Sequence, residues 1–471
     1  VPQFSYRASG ITGPRLTRTR LYALLSALLF VLTVVFTTVP SGFQYDLSDA
    51  TEDMLSGSWI RRFQWMPLFL LAAYLLWRHR GVAWAFVRQV NPFLLALFLL
   101  MPLSMLWSPV PGVTLRRSVV LIGIALIGLS VHVSGWYPGR LTRLLYVSIG
   151  ALILASAIAA LFFPSLGVHQ TGPFTGNWRG IRLDKNLLAN LAALGVLLGA
   201  HAWLTAGTRR LFAAAYLALA LLVLIMTGGK ASLVATLTGV ALMFVLARGP
   251  LKLPRYGLLI GALTAVLALG LILHLYSMVN GFPSYAEAAG PFFHLLGKDV
   301  TLTGRFAIWQ WLLPIIGQHW LLGFGYGAFW LGDYGLSGEI TQALNFYPWQ
   351  AHNGYLEMLN ELGVVGLTLM LAFFAYHLRQ LARLRAIDHG AFTLHLPLLI
   401  TILITNIADS SAFSDANLNT LALLFSSMAV SRLLWSAPAN PLTPRIARAR
   451  PGENRRQRAA HVRARRINPS R

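Results

Sequence analysis

Apolar residues in this 471-residue chain fall in long, nearly unbroken runs, not in the one-sided or alternating patterns of soluble elements. Twelve such runs can be read, at roughly 21–39, 63–77, 93–107, 118–134, 144–163, 187–206, 211–226, 231–247, 256–276, 355–378, 392–408 and 417–436. A helix needs about 20 apolar residues to cross the hydrocarbon of a bilayer. The second and third runs are short and are interrupted by Pro67 and Pro102. Connections between runs are short, apart from one polar stretch at 277–354. Loops beyond about 15 residues are usually functional or disordered. This one carries Trp309, Trp311, Trp320, Trp330 and Trp349, so it reads as folded. The pattern predicts an all-α polytopic membrane protein of about 12 transmembrane helices with one large external loop. Its segments are a cytoplasmic N-terminal stretch (1–20), helices one to nine (21–276), the loop (277–354), helices ten to twelve (355–436) and an Arg-rich tail (437–471).

Composition agrees with this reading. The chain is 56% hydrophobic and 11% charged, with a mean hydropathy of +0.61, which disfavours twelve buried helices of a soluble protein. A net charge of +23 would suit a nucleic-acid binder, but its distribution points to a membrane. With the N-terminus inside and sides alternating, the inside segments hold 27 of the 38 Lys and Arg, the outside segments hold ten, and Arg432 lies in the last run. Asp388 and Glu453 are the inside acids. This is the positive-inside pattern, and it predicts cytoplasmic termini. The tail, with ten Arg from Arg445 to Arg471, is expected to be disordered and to lie on anionic headgroups, RNA being the weaker partner. The first run is expected to be a retained helix, since no small-residue cleavage site follows it. Cysteine is absent, which removes disulfides and thiolate chemistry.

Cations on the outside run against the rule and need a cause. Arg61, Arg62 and Lys298 read as side chains that snorkel to lipid phosphates. Arg179 and Arg182 lead into the sixth run, Lys230 sits in the tight turn Thr227-Gly228-Gly229-Lys230, and Arg305 opens the aromatic part of the loop. Small residues beside them permit close approach, and a guanidinium fork suits phosphate oxygens. Together they suggest a pyrophosphate site at the outer surface. His352 ends the loop in Ala351-His352-Asn353-Gly354, and an imidazole, the side chain best suited to proton transfer near neutral pH, makes it a candidate general base. Glu357 and Glu361 sit early in the following helix, where its dipole favours carboxylates. No spacing of metal-ligand type appears, so no metal and no cofactor are expected.

His352-Asn353, nine residues and then Gly363-Val364-Val365-Gly366 resembles the signature of bacterial O-antigen ligases, within the wider ligase and polymerase superfamily. Thr303-Gly304-Arg305 and Gly323-Phe324-Gly325-Tyr326-Gly327 look like that superfamily's large periplasmic loop, and Arg182-Leu183-Asp184-Lys185-Asn186 looks like its helix opening. A Lys at 230 departs from the Arg that many relatives carry. The resemblance implies a GT-C-like inner-membrane enzyme with a periplasmic active site. It would move O-antigen from undecaprenyl pyrophosphate to a hydroxyl of lipid A–core, as a monomer and with inversion. His352 would be the base, Arg182, Arg305, Lys230 and Arg179 would hold the pyrophosphate, and Asn353 and Tyr355 would help. An O-antigen polymerase and a protein O-oligosaccharyltransferase are the nearest alternatives, and a transporter of polyprenyl-linked glycans is a distant one.

Overall fold

The structure is a computed structural model that describes residues 14–40, 58–205, 209–248 and 305–437. The run at 256–276, the first part of the long loop with Lys298, and the Arg-rich tail lie outside the described residues. Among the described residues every element is helical, apart from one isolated bridge between Val168 and Trp178. The helices are α1 (Pro14–Thr38), α2 (Trp59–Arg78), α3 (Arg80–Val87), α4 (Pro92–Leu103), α5 (Pro111–Val133), α6 (Arg140–Phe162) and α7 (Lys185–Thr205). They continue with α8 (Arg210–Met226), α9 (Lys230–Ala247), α10 (Arg305–Gln318), α11 (Gly335–Leu344), α12 (Gly354–Leu384), α13 (His389–Ala408) and α14 (Leu418–Ser436).

Eight of these are long and apolar enough to cross a membrane, or nine if the pair α3 and α4, bent by 99°, counts as one span. The chain is thus a multi-pass helical membrane protein. The expected helix at 63–77 forms as α2, whose first turn holds Arg61 and Arg62. Pro102 lies inside α4, which ends at Leu103 and runs on as a 3-10 turn at Ser104–Leu106. Where helices touch, small residues allow close contact, as is usual in membranes. A Cβ on Gly199 of α7 would lie 3.0 Å from the backbone of Leu217 in α8.

Connections gather at two ends of the bundle. At one end, Arg140 donates to the carbonyls of Val131 and Ala23 and to Ser26 Oγ, while His201 Nε2 pairs with Gly390 O (3.0 Å). At the other, Trp178 N donates to Met226 O (3.0 Å), Trp107 Nε1 to Leu322 O (3.0 Å) and Gln350 Nε2 to Asp409 (2.8 Å). Residues 305–353 form a cap at this second end with an apolar core of their own, built on Ile308, Trp309, Leu312, Phe324, Trp330 and Ile340.

The cap is threaded into α12. At Gly363 the helix is broken (φ 63°, ψ −164°), which exposes backbone groups that an intact helix would use itself. The segment 320–325 takes them up. Val364 N donates to Trp320 O (2.8 Å), and Phe324 N and Gly325 N donate to the carbonyls of Asn360 (2.9 Å) and Glu361 (2.8 Å). A Cβ at Gly363 would lie 2.2 Å from Leu321 O. The nine residues that separate His352-Asn353 from Gly363 are therefore the helical stretch between the site and the place where the cap is tied down.

Gly363→Ala should cost about 1–3 kcal/mol from its backbone conformation alone, before the clash with Leu321 is counted. Gly317→Ala on α10, where an added Cβ meets nothing within 4 Å, serves as the control. Thermal unfolding in detergent should show a clear loss for the first and none for the second; equal melting temperatures would refute the threaded-cap account.

Candidate active site

Helix α12 starts just after His352. Asn353 is its N-cap: Oδ1 accepts from Tyr355 N (3.0 Å) and Leu356 N (3.1 Å). Gly354 is pressed against Asn406, so that a Cβ would fall 1.9 Å from Asn406 Oδ1. His352 itself lies outside the helix in the left-handed region, with φ 51°. That conformation is uncommon for a residue with a side chain, and its neighbours must enforce it.

The enforcement comes from Ala351. Its N–H donates to Glu357 Oε2 (2.6 Å), and its carbonyl accepts from Trp309 Nε1 (2.7 Å). Glu357 is 2% exposed and accepts twice more, from Trp330 Nε1 at Oε1 (2.7 Å) and from Ser410 Oγ at Oε2 (3.1 Å). One oxygen thus holds the residue before His352 and the residue after Asp409. Gln350 adds a second tie, with Nε2 donating to Asp409 Oδ1 (2.8 Å) and Oε1 accepting from Ser410 N (3.1 Å).

These ties bring His352 Nδ1 within 3.7 Å of Asp409 Oδ1. This is longer than a hydrogen bond. Nδ1 is enclosed and has no hydrogen-bond partner, while the side chain as a whole is 27% exposed. The ring therefore turns one nitrogen towards a carboxylate and keeps contact with the outside. Asp409 also accepts from Asn190 Nδ2 (3.4 Å), and Asn190 Oδ1 accepts from Ser232 Oγ (3.2 Å). Ser232 is two residues into α9 from Lys230, which begins that helix and is exposed. Arg305 begins α10; burial lowers its pKa and the nearby Asp409 opposes the shift. His352, Arg305 and the start of α9 thus converge on Asp409.

The other sequence-derived candidates sit differently. Arg182 is 3% exposed, and its Nη1 donates to Thr37 O (2.8 Å) and Thr38 O, binding the end of α1. Burial pushes its guanidinium down to about 10, with Asp184 opposing, so it stays charged at neutral pH. Arg179 braces a hairpin by donating from Nε to Leu166 O (2.8 Å). Tyr355 donates its hydroxyl to Leu403 O (3.2 Å). Arg182, Asn353 and Tyr355 therefore make backbone contacts that hold the site's frame together. Asp409, Gln350 and Asn190 were not anticipated from sequence. Their one signal is weak, an acid placed directly at the end of an apolar run. Among the described residues, no group of three His, Asp or Glu is arranged to hold a metal ion.

Residues 187–371 match the family described as O-Antigen ligase, so the chain carries an O-antigen ligase family domain. The chain is also similar to the exopolysaccharide production protein ExoQ of Rhizobium meliloti (strain 1021), with 25% identity over 346 residues that cover 69% of this chain and 71% of that protein. The family match supports activity of the ligase or polymerase type on lipid-linked polysaccharide. Its bounds enclose Asn190, Lys230, Arg305, His352 and Gly363, and leave out Arg179, Arg182 and Asp409.

Glu357→Gln tests the clamp. An amide offers one acceptor oxygen where three donors now meet two, so at least one buried donor loses its partner, at a cost of about 1–3 kcal/mol. Hydrogen–deuterium exchange across 346–353 should rise in this variant and stay unchanged in Glu339→Gln, whose side chain is exposed. Unchanged exchange in both would dismiss Glu357 as the holder of His352.

Proposed function

We propose that the chain is an O-antigen ligase, which transfers a glycan from undecaprenyl pyrophosphate to a hydroxyl of lipid A–core at the periplasmic face of the bacterial inner membrane. The observation that carries this reading is the pairing of His352 with Asp409 beside Arg305, inside a matched ligase domain. Twelve spans in a GT-C-like bundle, cytoplasmic termini and a monomer complete the proposal. It places the cap at 305–353 on the periplasmic side, in accord with the positive-inside distribution of charge.

His352 takes the proton of the acceptor hydroxyl as its oxygen attacks the anomeric carbon. Asp409 then faces an imidazolium. Two unit charges about 4 Å apart attract by about 4 kcal/mol at an effective dielectric near 20, and by less at this partly exposed edge. The pair at 3.7 Å can close to a charge-assisted hydrogen bond when the proton arrives. The bond from the anomeric carbon to phosphate oxygen breaks on the opposite face, which inverts the centre. Arg305 and Lys230 stabilise charge growing on the pyrophosphate. Arg182 acts through position, by fixing the opening of α7 to α1.

A second reading draws on the similarity to an exopolysaccharide production protein: a polymerase joining lipid-linked repeat units by the same chemistry. Deletion of the gene separates the two. Loss of a ligase leaves bare lipid A–core while polymerised chains collect on the carrier, whereas loss of a polymerase leaves core with a single repeat. Gel analysis of lipopolysaccharide should show bare core; a core-plus-one band would favour the polymerase.

With purified protein, His352→Ala should abolish transfer at unchanged melting temperature. Asp409→Asn should lower kcat by roughly tenfold to a hundredfold, the rate equivalent of losing about 1.4–2.7 kcal/mol of imidazolium stabilisation, and leave donor binding intact. Full activity in His352→Ala at matched expression would exclude the assigned base.

A further inference from the structure

A second histidine lies on the same outer end of the bundle, on the hairpin between α6 and α7, and the transfer chemistry above leaves it unused. His169 is pinned on both sides of its backbone: its N–H donates to Asn177 O (3.0 Å), and its carbonyl accepts from Gly176 N (2.9 Å). The hairpin is closed by the Val168–Trp178 bridge and fastened to the end of α8 through Trp178 N and Met226 O. His169 Nε2 is enclosed without a hydrogen-bond partner, and Asp184 Oδ2 is 3.9 Å away. Asp184 uses its other oxygen to accept from Asn186 N (2.7 Å), so it cannot turn fully to the imidazole without giving up that bond. Lys185 Nζ lies 4.2 Å from the ring centre of Phe174, and the same ring is 6.0 Å from His169. Asp184, Arg179 and Lys185 are the charged groups that act on His169, and Lys230 acts on Lys185.

Two cations, Arg179 and Lys185, thus act on His169 against one carboxylate that is already engaged. An enclosed imidazole nitrogen without a partner, set beside cations, suits an oxyanion in the tautomer that protonates Nε2. Its place along α7 fits as well. Lys185 is five residues before Asn190, about 7.5 Å along the helix axis, and Asn190 contacts Asp409 beside His352.

We propose that His169, with Lys185 and Arg179, forms a phosphate subsite for the diphosphate of the lipid-linked donor, in which His169 donates a hydrogen bond to a phosphate oxygen. The inference rests on the donor class named under Proposed function. It sets His169 on the leaving-group side and His352 on the acceptor side. Burial holds the free His169 below the ordinary histidine range, with Asp184 opposing and Arg179 and Lys185 adding to the shift. A bound phosphate favours the protonated ring and raises its pKa. Binding therefore takes up protons, and it tightens as pH falls through the titration of His169.

The test is calorimetry on the full-length protein in detergent, with farnesyl diphosphate and inorganic pyrophosphate as probes, in buffers of different ionisation enthalpy. His169→Gln should weaken both probes about tenfold and remove the protein's share of the proton uptake, while His352→Ala should bind like the parent. Lys185→Gln should weaken binding and keep the proton uptake. The proposal is overturned if His169→Gln matches the parent in affinity and proton uptake. It is overturned too if the variant loses only phosphatidylglycerol from nanodiscs, which would make the site a lipid headgroup anchor. The two readings fail separately: glycan transfer that depends on His352, with diphosphate binding blind to His169, sinks the subsite alone. Diphosphate binding that depends on His169, in a protein that transfers no glycan, sinks the ligase reading alone.

Discussion

A single buried carboxylate sets the geometry of the capped end of this bundle. Glu357 accepts from Trp330 in the cap, from Ala351 next to His352 and from Ser410 next to Asp409. Two of the donors lie in separate stretches of the cap and the third follows α13, so one carboxylate ties three places together. Removing a carboxylate from water is costly, and the cost is recovered only when its lone pairs meet well-placed donors. Three donors at 2.6–3.1 Å meet that condition. The position also helps, because Glu357 is in the first turn of α12, where the helix dipole favours negative charge. The same bonds that make the buried charge tolerable fix the spacing of His352 and Asp409.

The cap depends on a second arrangement with the same logic. A membrane helix normally satisfies its own backbone, and a break within it leaves polar groups that must find partners. Here the break at Gly363 is filled by backbone from 320–325, so the cap is held by hydrogen bonds that neither segment could make alone. Gly323 fits this approach because a Cβ there would lie 2.6 Å from Asn360 O. Further along, Glu361 accepts from Gly327 N, and Gly327 itself packs against Arg117. The glycine-rich segment is therefore a docking strip, and its conformational freedom is used for closeness to α12 and α5.

Much of this was open to a reader of the sequence, and the boundary has physical causes. Apolar runs report helices well because lipid leaves the backbone few other options. Eleven of the twelve runs fall on described helices, the twelfth lying outside them. The motif from His352 to Gly363 was legible as a pattern, but the reason for its spacing needed the threaded segment. Arg182 shows the limit most clearly. A cation in an outer loop signals an anionic partner, and sequence cannot reveal that the carbonyls of Thr37 and Thr38, some 145 positions away, supply the negative ends of dipoles instead. Asp409 was hidden for the opposite reason. Acids are common in the connections expected on the outside, so one more at a helix end carried no signal until Gln350, Asn190 and His352 were seen to meet there.

Asp409 also explains how motifs that lie far apart in sequence serve one site. Asn190 reaches it from α7, Gln350 and His352 from the cap, and Arg305 by charge from the start of α10, while Asp409 itself ends α13. The hydrogen bonds to its two oxygens come from neutral amides, which hold the carboxylate in place without cancelling its charge. A strong ion pair with Arg305 would satisfy Asp409 and leave little attraction for an imidazolium. Among the described residues, the two lie within electrostatic reach, and the salt-bridge distances found involve histidine. The carboxylate is thus fixed in position and still available in charge. That is what the proposed base, His352, requires if it is to gain a proton on a partly exposed edge and hold it through the displacement.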